Sequence, residues 1–150
     1  MNIFCKFYST FLGVGYWPIA PGTAASALTV LLYKYVLFRL EWPWYLLLLS
    51  VLFFGGVVCA SHHAARTQTH DPRFIVIDEV VGQLLALFLL PPEWLPLMAG
   101  FLLFRFFDIL KPLFIKKAEA FPSGWGIMLD DLLAGIYSGI IVTLIMLIMN

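Results

Sequence analysis

Long apolar stretches, separated by short polar breaks, dominate the pattern of the chain. A helix needs about 20 residues to cross the hydrocarbon core of a bilayer. Shorter apolar segments must therefore be buried in a bundle or extended into the interface. The pattern predicts an all-α integral membrane bundle of about four to five short hydrophobic helices. We expect residues 1–150 to form a single membrane-embedded domain. The predicted segments are 27–40, 44–60, 74–90, 94–107 and 132–149.

Composition supports a membrane protein and excludes one class of partner. The chain is 62% hydrophobic and 12% charged, whereas soluble domains carry about 25% charged residues. Its formal net charge is zero and it has no stripe of Lys and Arg, so nucleic acid is not an expected partner. Cys5 and Cys59 lack metal or redox spacing, and we expect both to be small apolar residues in packed helices.

The charged residues fall mainly on one side of the predicted zigzag. Glu41 and Glu93 are the acidic residues left on the opposite side. By the positive-inside rule, the side that carries most of the basic residues faces the cytoplasm. The sequence therefore predicts a multi-pass protein with its polar chemistry on the cytoplasmic face. The basic residues on that side are Lys6, Arg66, Arg73, Arg105, Lys111, Lys116 and Lys117.

Two acidic doublets lie at the edges of apolar segments, in "FIVIDEVVGQLLAL" and "GIMLDDLLAGIYSG". An unpaired carboxylate in such a place is costly. Helix capping would suit Asp130, but not the first doublet, because residues 74–77 already belong to the apolar run. A shared divalent cation is the alternative, and oxygen ligands suit Mg²⁺ or Mn²⁺. The predicted metal ligands are Asp78, Glu79, Asp130 and Asp131, with Asp71 in reserve.

A basic face lies between the doublets, in "FRFFDILKPLFI", where Arg105, Asp108 and Lys111 recur at helical spacing. One interpretation is an intrahelical ion ladder with membrane anchoring. The other is phosphate binding by Arg105 and Lys111, because a guanidinium and an ammonium match phosphate oxygens. A carboxylate not bound to metal, Asp108 or Asp130, is a candidate general base. His70, on the same side, is a further candidate for proton transfer.

The stretch "GYWPIAPGTAAS" at residues 15–26 falls on the same side as the doublets. Thr23 and Ser26 offer hydroxyls, and the start of a helix offers free N–H groups, to a phosphate. The simpler alternative is that Thr23 is only the N-cap of the first long helix. We expect the stretch to form a rigid wall of the site, without a nucleophile.

Four motifs taken in order, "GYWPIAPGTAAS", "HDPRFIVIDEVVGQLLAL", "FRFFDILKP" and "GWGIMLDDLLAG", resemble the phosphatidylglycerophosphatase A family of bacterial magnesium-dependent lipid phosphatases. The resemblance extends from Gly15 to Gly135. It implies an enzyme of the bacterial cytoplasmic (inner) membrane that uses Mg²⁺, acts on a phospholipid among membrane lipids, and converts phosphatidylglycerophosphate to phosphatidylglycerol. The chain departs from the family's paired glycines at residues 122–126, which leaves the conformation of that loop open.

Several alternatives stay open at this stage. The chain lacks the loop spacing of cysteine phosphatases and a DxDx[TV] signature, which favours hydrolysis by a metal-activated water. The competing activities are phosphatase action on another lipid phosphate, phosphotransfer, and, in a different class, small cation transport by the same carboxylates. A non-catalytic helical scaffold would leave the acidic doublets unexplained. A transporter would need polar residues through the whole membrane depth, and here they gather at one side.

Overall fold

The computed structural model describes residues 3–67, 73–112 and 114–149, and these fold into an all-α bundle. Short 3₁₀ turns cover Val14–Tyr16 and Leu37–Arg39. The predicted fold class, a helical membrane bundle, is confirmed. The α-helices of the described residues are α1 (Ile3–Ser9), α2 (Pro21–Tyr35), α3 (Trp42–Thr67), α4 (Ile77–Leu87), α5 (Trp94–Leu110), α6 (Phe114–Ala118) and α7 (Gly124–Met149).

Helix α4 is the centre of the bundle. It packs against α2, α3, α5 and α7, and nine of its eleven residues are buried. At 1.5 Å per residue it is about 16 Å long, roughly half the hydrocarbon thickness of a bilayer. The predicted 74–90 segment is therefore too long at both ends. Its apolar character on all sides reflects burial by neighbouring helices.

Within the described ranges, two helices are long and apolar enough to cross a membrane, Trp42–His63 in α3 and Gly124–Met149, which is α7. Helix α7 begins at Gly124, well before the predicted start at Leu132. Asp130 and Asp131 therefore lie inside the helix and not in its first turn, which removes helix capping as the explanation of this doublet.

Helices α4 and α7 approach each other backbone to backbone. A β-carbon on Gly135 would meet the carbonyl oxygen of Gly82, and one on Gly82 would meet the carbonyl oxygen of Asp131 and the Phe104 ring. Because glycine has no side chain, the two helices come closer than any other residue would allow at these positions. This contact sets the first turn of α4 beside the acidic doublet of α7.

A disulfide and hydrogen bonds join helix α1 to the rest of the bundle. Cys5 forms a disulfide with Cys59 of α3, 54 residues further along the chain. The Tyr8 hydroxyl donates to the carbonyl of Val51 at 2.9 Å. The Val76 N–H donates to the Ser9 carbonyl at 2.9 Å, immediately before α4. Both cysteines are buried, as expected, but the expectation that they are unpaired apolar residues is wrong, because they are bonded to each other.

Candidate active site

One end of the bundle contains a polar cavity of about 570 Å³. It is bounded by the 15–23 stretch, the first turn of α4, the end of α5 and the early turns of α7. The side chains predicted from sequence therefore meet in space, although they come from distant parts of the chain. The charged and hydroxyl side chains that line it, besides Tyr16, are Thr23, Arg73, Asp78, Glu79, Arg105, Asp108, Lys111, Asp130 and Asp131.

Three carboxylates form a cluster in this cavity. Asp78 and Glu79 come from α4 and Asp131 from α7, and one oxygen of each lies within 4.8 Å of the others. Oε2 of Glu79 and Oδ2 of Asp131 are buried without a hydrogen-bond partner in the described part of the chain. Burial raises the pKa of Glu79 to about 7. Oxygen ligands this close together, with lone pairs left over, fit a hard divalent cation.

Asp130 departs from the prediction that it is a fourth ligand. Its Oδ2 accepts a 2.6 Å hydrogen bond from Nζ of Lys111, and its Oδ1 accepts one from the Asp131 N–H at 2.9 Å. The side chains of adjacent helix residues point about 100° apart. Asp131 therefore faces the carboxylate cluster, while Asp130 faces Lys111. The described geometry therefore puts Asp130 beside the three-carboxylate cluster and not in it.

The basic face of α5 is paired with carboxylates on two sides of the cavity. Nη1 of Arg105 lies 2.7 Å from Oδ2 of Asp108, as the predicted ladder requires. Lys111, just past the end of α5, pairs with Asp130 and also with Glu119 at 3.1 Å. Burial lowers the pKa of Lys111, but hydrogen bonds and the charges of Asp130 and Glu119 outweigh it, so the pKa rises above its ordinary value. Lys111 therefore stays charged, and its ion pairs and that of Arg105 hold both side chains in place.

Most of the 15–26 stretch forms a wall of the cavity, which residues 15–18 and 20–23 line. Helix α2 begins at Pro21 with Ala20 as its N-cap residue, so Thr23 is in the first turn and is not the cap. Thr23 lines the cavity. Ser26, one turn later, is fully buried and is not part of the cavity lining. The prediction that Ser26 contacts phosphate is therefore not supported by its position.

Sequence reasoning missed Arg73 and the adjacent Phe74 as residues of the site. Arg73 entered the prediction only as a charge for membrane orientation, yet it lines the cavity with Tyr16, Trp17 and Phe74. Its place immediately before the apolar run of the first doublet was the available signal. Asp71, the reserve ligand, and His70 lie outside the described residues.

The loop that departs from the family motif leads directly into α7. The Gly124 N–H donates to Oγ of Ser61 at 3.0 Å. A β-carbon on Gly124 would meet the Val57 carbonyl, and one on Gly126 would meet the Glu119 carbonyl. The two glycines let the start of α7 pack against α3 and the end of α6. The position of the acidic doublet thus depends on them.

Fold and site together define a membrane-protein class: a helical bundle with candidate membrane spans whose acidic and cationic cavity suits a phosphate ester. Residues 7–146 match the family model of phosphatidylglycerophosphatase A. The chain belongs to that family, and the resemblance expected from the motifs is confirmed. It is accordingly an enzyme of this family of lipid phosphatases.

Individual relatives agree on the family and differ in their names. A Bacteroides thetaiotaomicron protein, provisionally named a phosphatidylinositol-3-phosphatase, is 38% identical over 140 residues, 89% of this chain and 87% of its own. Phosphatidylglycerophosphatase A of Haemophilus influenzae is 39% identical over 125 residues, 82% and 77% of the two chains. Phosphatidylglycerophosphatase A of Escherichia coli is 36% identical over 128 residues, 84% and 74%. No solved structure matches the chain significantly.

Proposed function

We propose that this chain is a Mg²⁺-dependent phosphatase that hydrolyses the terminal phosphate of phosphatidylglycerophosphate, giving phosphatidylglycerol and inorganic phosphate. The observation that carries the proposal is the meeting of Asp78, Glu79 and Asp131 with Arg105 and Lys111 in one cavity of a chain from this family. The name of the Bacteroides relative supplies the second candidate, an inositol lipid phosphate. Both substrates present a phosphomonoester at the end of a phosphodiester-linked headgroup.

The metal would be held by Asp78, Glu79 and Asp131. The set offers carboxylate oxygens alone, and Oε2 of Glu79 and Oδ2 of Asp131 are buried without a hydrogen-bond partner among the described residues, which favours Mg²⁺ over zinc. Bound there, Mg²⁺ supplies Lewis acidity toward the phosphate and lowers the pKa of a coordinated water. The three carboxylates, which repel one another when ionised in a buried place, are stabilised by the same charge.

The phosphate would be oriented by this chain's own donors. Arg105 and Lys111 present a guanidinium and an ammonium to its oxygens. The first turn of α2 adds the N–H groups of Gly22 and Thr23, which lack acceptors within the helix, and the Thr23 hydroxyl. These groups balance the charge on the phosphate as the ester bond breaks.

In the hydrolysis, the water oxygen forms a bond to phosphorus and the bond from phosphorus to the headgroup oxygen breaks. The proton lost by the water passes to a carboxylate, Asp130 or Asp108, and then to the departing headgroup oxygen. Asp130 is the better-supported base, because Lys111 fixes its orientation beside the metal-binding carboxylates. Of the five carboxylates that line the cavity, three would thus bind metal, Asp130 would move the proton, and Asp108 would hold Arg105.

We further propose that the protein is multi-pass in the bacterial cytoplasmic (inner) membrane, with the cavity facing the cytoplasm. Arg73, Arg105 and Lys111 at the cavity, with Lys116 and Lys117 on the adjacent α6, support this orientation by the positive-inside rule. The check is labelling of a Lys117→Cys variant with a membrane-impermeant thiol reagent. Labelling in inverted vesicles but not in intact cells is expected, and the reverse would place the cavity outside.

The cation-transport alternative finds no support in the described residues. The carboxylates of the cavity all lie at one end of the bundle. At the other end of α2, Lys34 donates to the Pro92 carbonyl at 2.6 Å and lies 4.5 Å from the Trp94 ring centroid. A second acidic cluster, which a pathway would need, is not found among the residues described.

The experiment that tests the proposed function measures phosphate release from phosphatidylglycerophosphate in detergent micelles with Mg²⁺ or with EDTA. Wild-type protein is expected to turn over only with Mg²⁺. Glu79→Gln and Asp131→Asn are expected to be inactive while keeping the wild-type circular dichroism spectrum. Full activity in both variants would refute the metal assignment. No release from the lipid by wild-type protein would refute the substrate.

A further inference from the structure

The mouth of the cavity carries a cation that differs from those inside. Arg105 is paired with Asp108, and Lys111 is paired with Asp130 and Glu119. Arg73 also lines the cavity, but it is exposed and forms no ion pair with any residue that the structure describes. A guanidinium on the wall of a ligand cavity that has no ion pair among the described residues is available for an anionic part of the ligand.

The wall beside Arg73 is built to hold its shape. The rings of Tyr16 and Phe74 are stacked with centroids 6.0 Å apart, and Nζ of Lys6 lies 5.4 Å from the Tyr16 centroid. Gly15 lies directly against the backbone carbonyl of Phe74 and has no room for a β-carbon. Phe74, which follows Arg73, is therefore held by contacts with Gly15 and Tyr16. These contacts fix the backbone from which the arginine side chain extends.

Apolar side chains at the same mouth indicate the direction from which a lipid arrives. Trp17, which lines the cavity, is 62% exposed, and nearby Ile19 is 78% exposed. Exposed tryptophan and aliphatic residues beside basic groups are typical of a surface that contacts the lipid interface. The acidic cluster is buried by contrast, with Asp131 only 3% exposed. A headgroup would thus enter with its terminal phosphate first.

We infer that Arg73 is a specificity-determining residue that binds the phosphodiester linking the headgroup to diacylglycerol, while the terminal phosphate lies with Arg105 and Lys111. This inference rests on the proposed function. A phospholipid with two phosphates keeps its phosphodiester nearest the acyl chains, and hence nearest the mouth. The substrate class is a headgroup that joins a phosphodiester to a terminal phosphomonoester, with the two anions read by separate cations.

The test compares Arg73→Gln and Arg73→Lys with wild-type protein on phosphatidylglycerophosphate in mixed micelles. Lys117→Gln is the matched control, because Lys117 is an exposed cation outside the cavity lining. Arg73→Gln is expected to raise KM roughly tenfold, the size of one charge-assisted contact, and to leave kcat nearly unchanged. Arg73→Lys should recover part of the loss, and Lys117→Gln should leave both constants unchanged.

Two soluble inhibitors separate the two anion positions. Glycerophosphoglycerol carries the phosphodiester alone, and inorganic phosphate represents the terminal group. Arg73→Gln is expected to weaken inhibition by the diester and leave inhibition by phosphate unchanged. An unchanged KM, a loss confined to kcat, or equal weakening of both inhibitors would overturn the inference with the proposed function intact. A wild-type enzyme that releases no phosphate from the lipid would overturn the proposed function itself.

Discussion

The α-carbon of Gly22 lies against the carboxylate of Glu79, so close that a β-carbon at position 22 would overlap Oε1. Gly22 is in the first turn of α2 and Glu79 in the first turn of α4. Two helix starts therefore converge on one candidate metal ligand. The free N–H groups and the positive dipole ends of both helices therefore lie beside the carboxylate of Glu79, which they stabilise when it is ionised.

Gly22→Ala is expected to reduce activity far more than stability. The atom that the new methyl group meets is the end of a flexible side chain, which can move cheaply, but moving it displaces a metal ligand. Changes that misplace a ligand through its neighbours cost about 10–100-fold in metal affinity or activity. The measurement is a Mg²⁺ titration of phosphate release, with thermal unfolding in the same detergent.

Gly100→Ala is the matched control for this variant. Its β-carbon would also meet the tip of a flexible side chain, Leu87, but far from the acidic cluster. It should leave the Mg²⁺ dependence unchanged. If both alanine variants titrated with Mg²⁺ like the wild-type enzyme, Gly22 would not constrain the ligand.

Gly135→Ala should show the opposite behaviour and destabilise the fold. Here the β-carbon meets the backbone carbonyl of Gly82, which cannot move without separating α4 from α7. Overpacking of this kind costs about 1–3 kcal/mol, seen as a lower unfolding temperature in detergent. An unchanged unfolding temperature would contradict the close backbone contact between these helices.

The acidic doublets show how far sequence reasoning reaches. Burying a carboxylate is so costly that Asp78, Glu79 and the second doublet had to meet compensating charge, and their convergence follows from that argument. Which member of the second doublet joins the cluster does not follow, because it depends on the rotation of α7. That rotation is set by the Gly82–Gly135 contact and by the turns of α7 before the doublet, whereas the sequence pattern predicted a helix only from Leu132 onward.

Features that depend on long-range pairing escaped prediction for a similar reason. The Cys5–Cys59 bond joins residues that share no local motif. Helix α4 is as apolar as a membrane span, but it is buried among other helices like the core helix of a bundle. Composition alone does not distinguish a membrane span from such a core helix. Arg73 is an exposed cation, and most exposed arginines have no role beyond the protein surface. Only the cavity beside Arg73 indicates that it belongs to a site.

Asp130→Asn should separate proton transfer from metal binding. The cluster excludes Asp130, so the Mg²⁺ concentration for half-maximal activity should change little. Loss of a general base lowers kcat by about 10²–10⁴-fold. Lys111 keeps its Glu119 partner, which limits the effect on folding. A large shift in the Mg²⁺ titration would instead return Asp130 to the ligand set, and Mn²⁺ binding followed by electron paramagnetic resonance would decide the matter independently.

Thr23→Ala should slow turnover more than it lowers stability. Because Ala20 and not Thr23 precedes the helix, removing the Thr23 hydroxyl leaves the start of α2 unchanged. Thr23 lines the cavity, and one hydrogen bond from its hydroxyl to a charged group is worth about 1.5–3 kcal/mol, roughly a 10- to 150-fold loss in kcat/KM. Thr23→Ser keeps the hydroxyl and should retain most of the activity, while Thr23→Val keeps the shape and should resemble alanine. Equal rates for the serine and valine variants would show that the hydroxyl does not reach the phosphate.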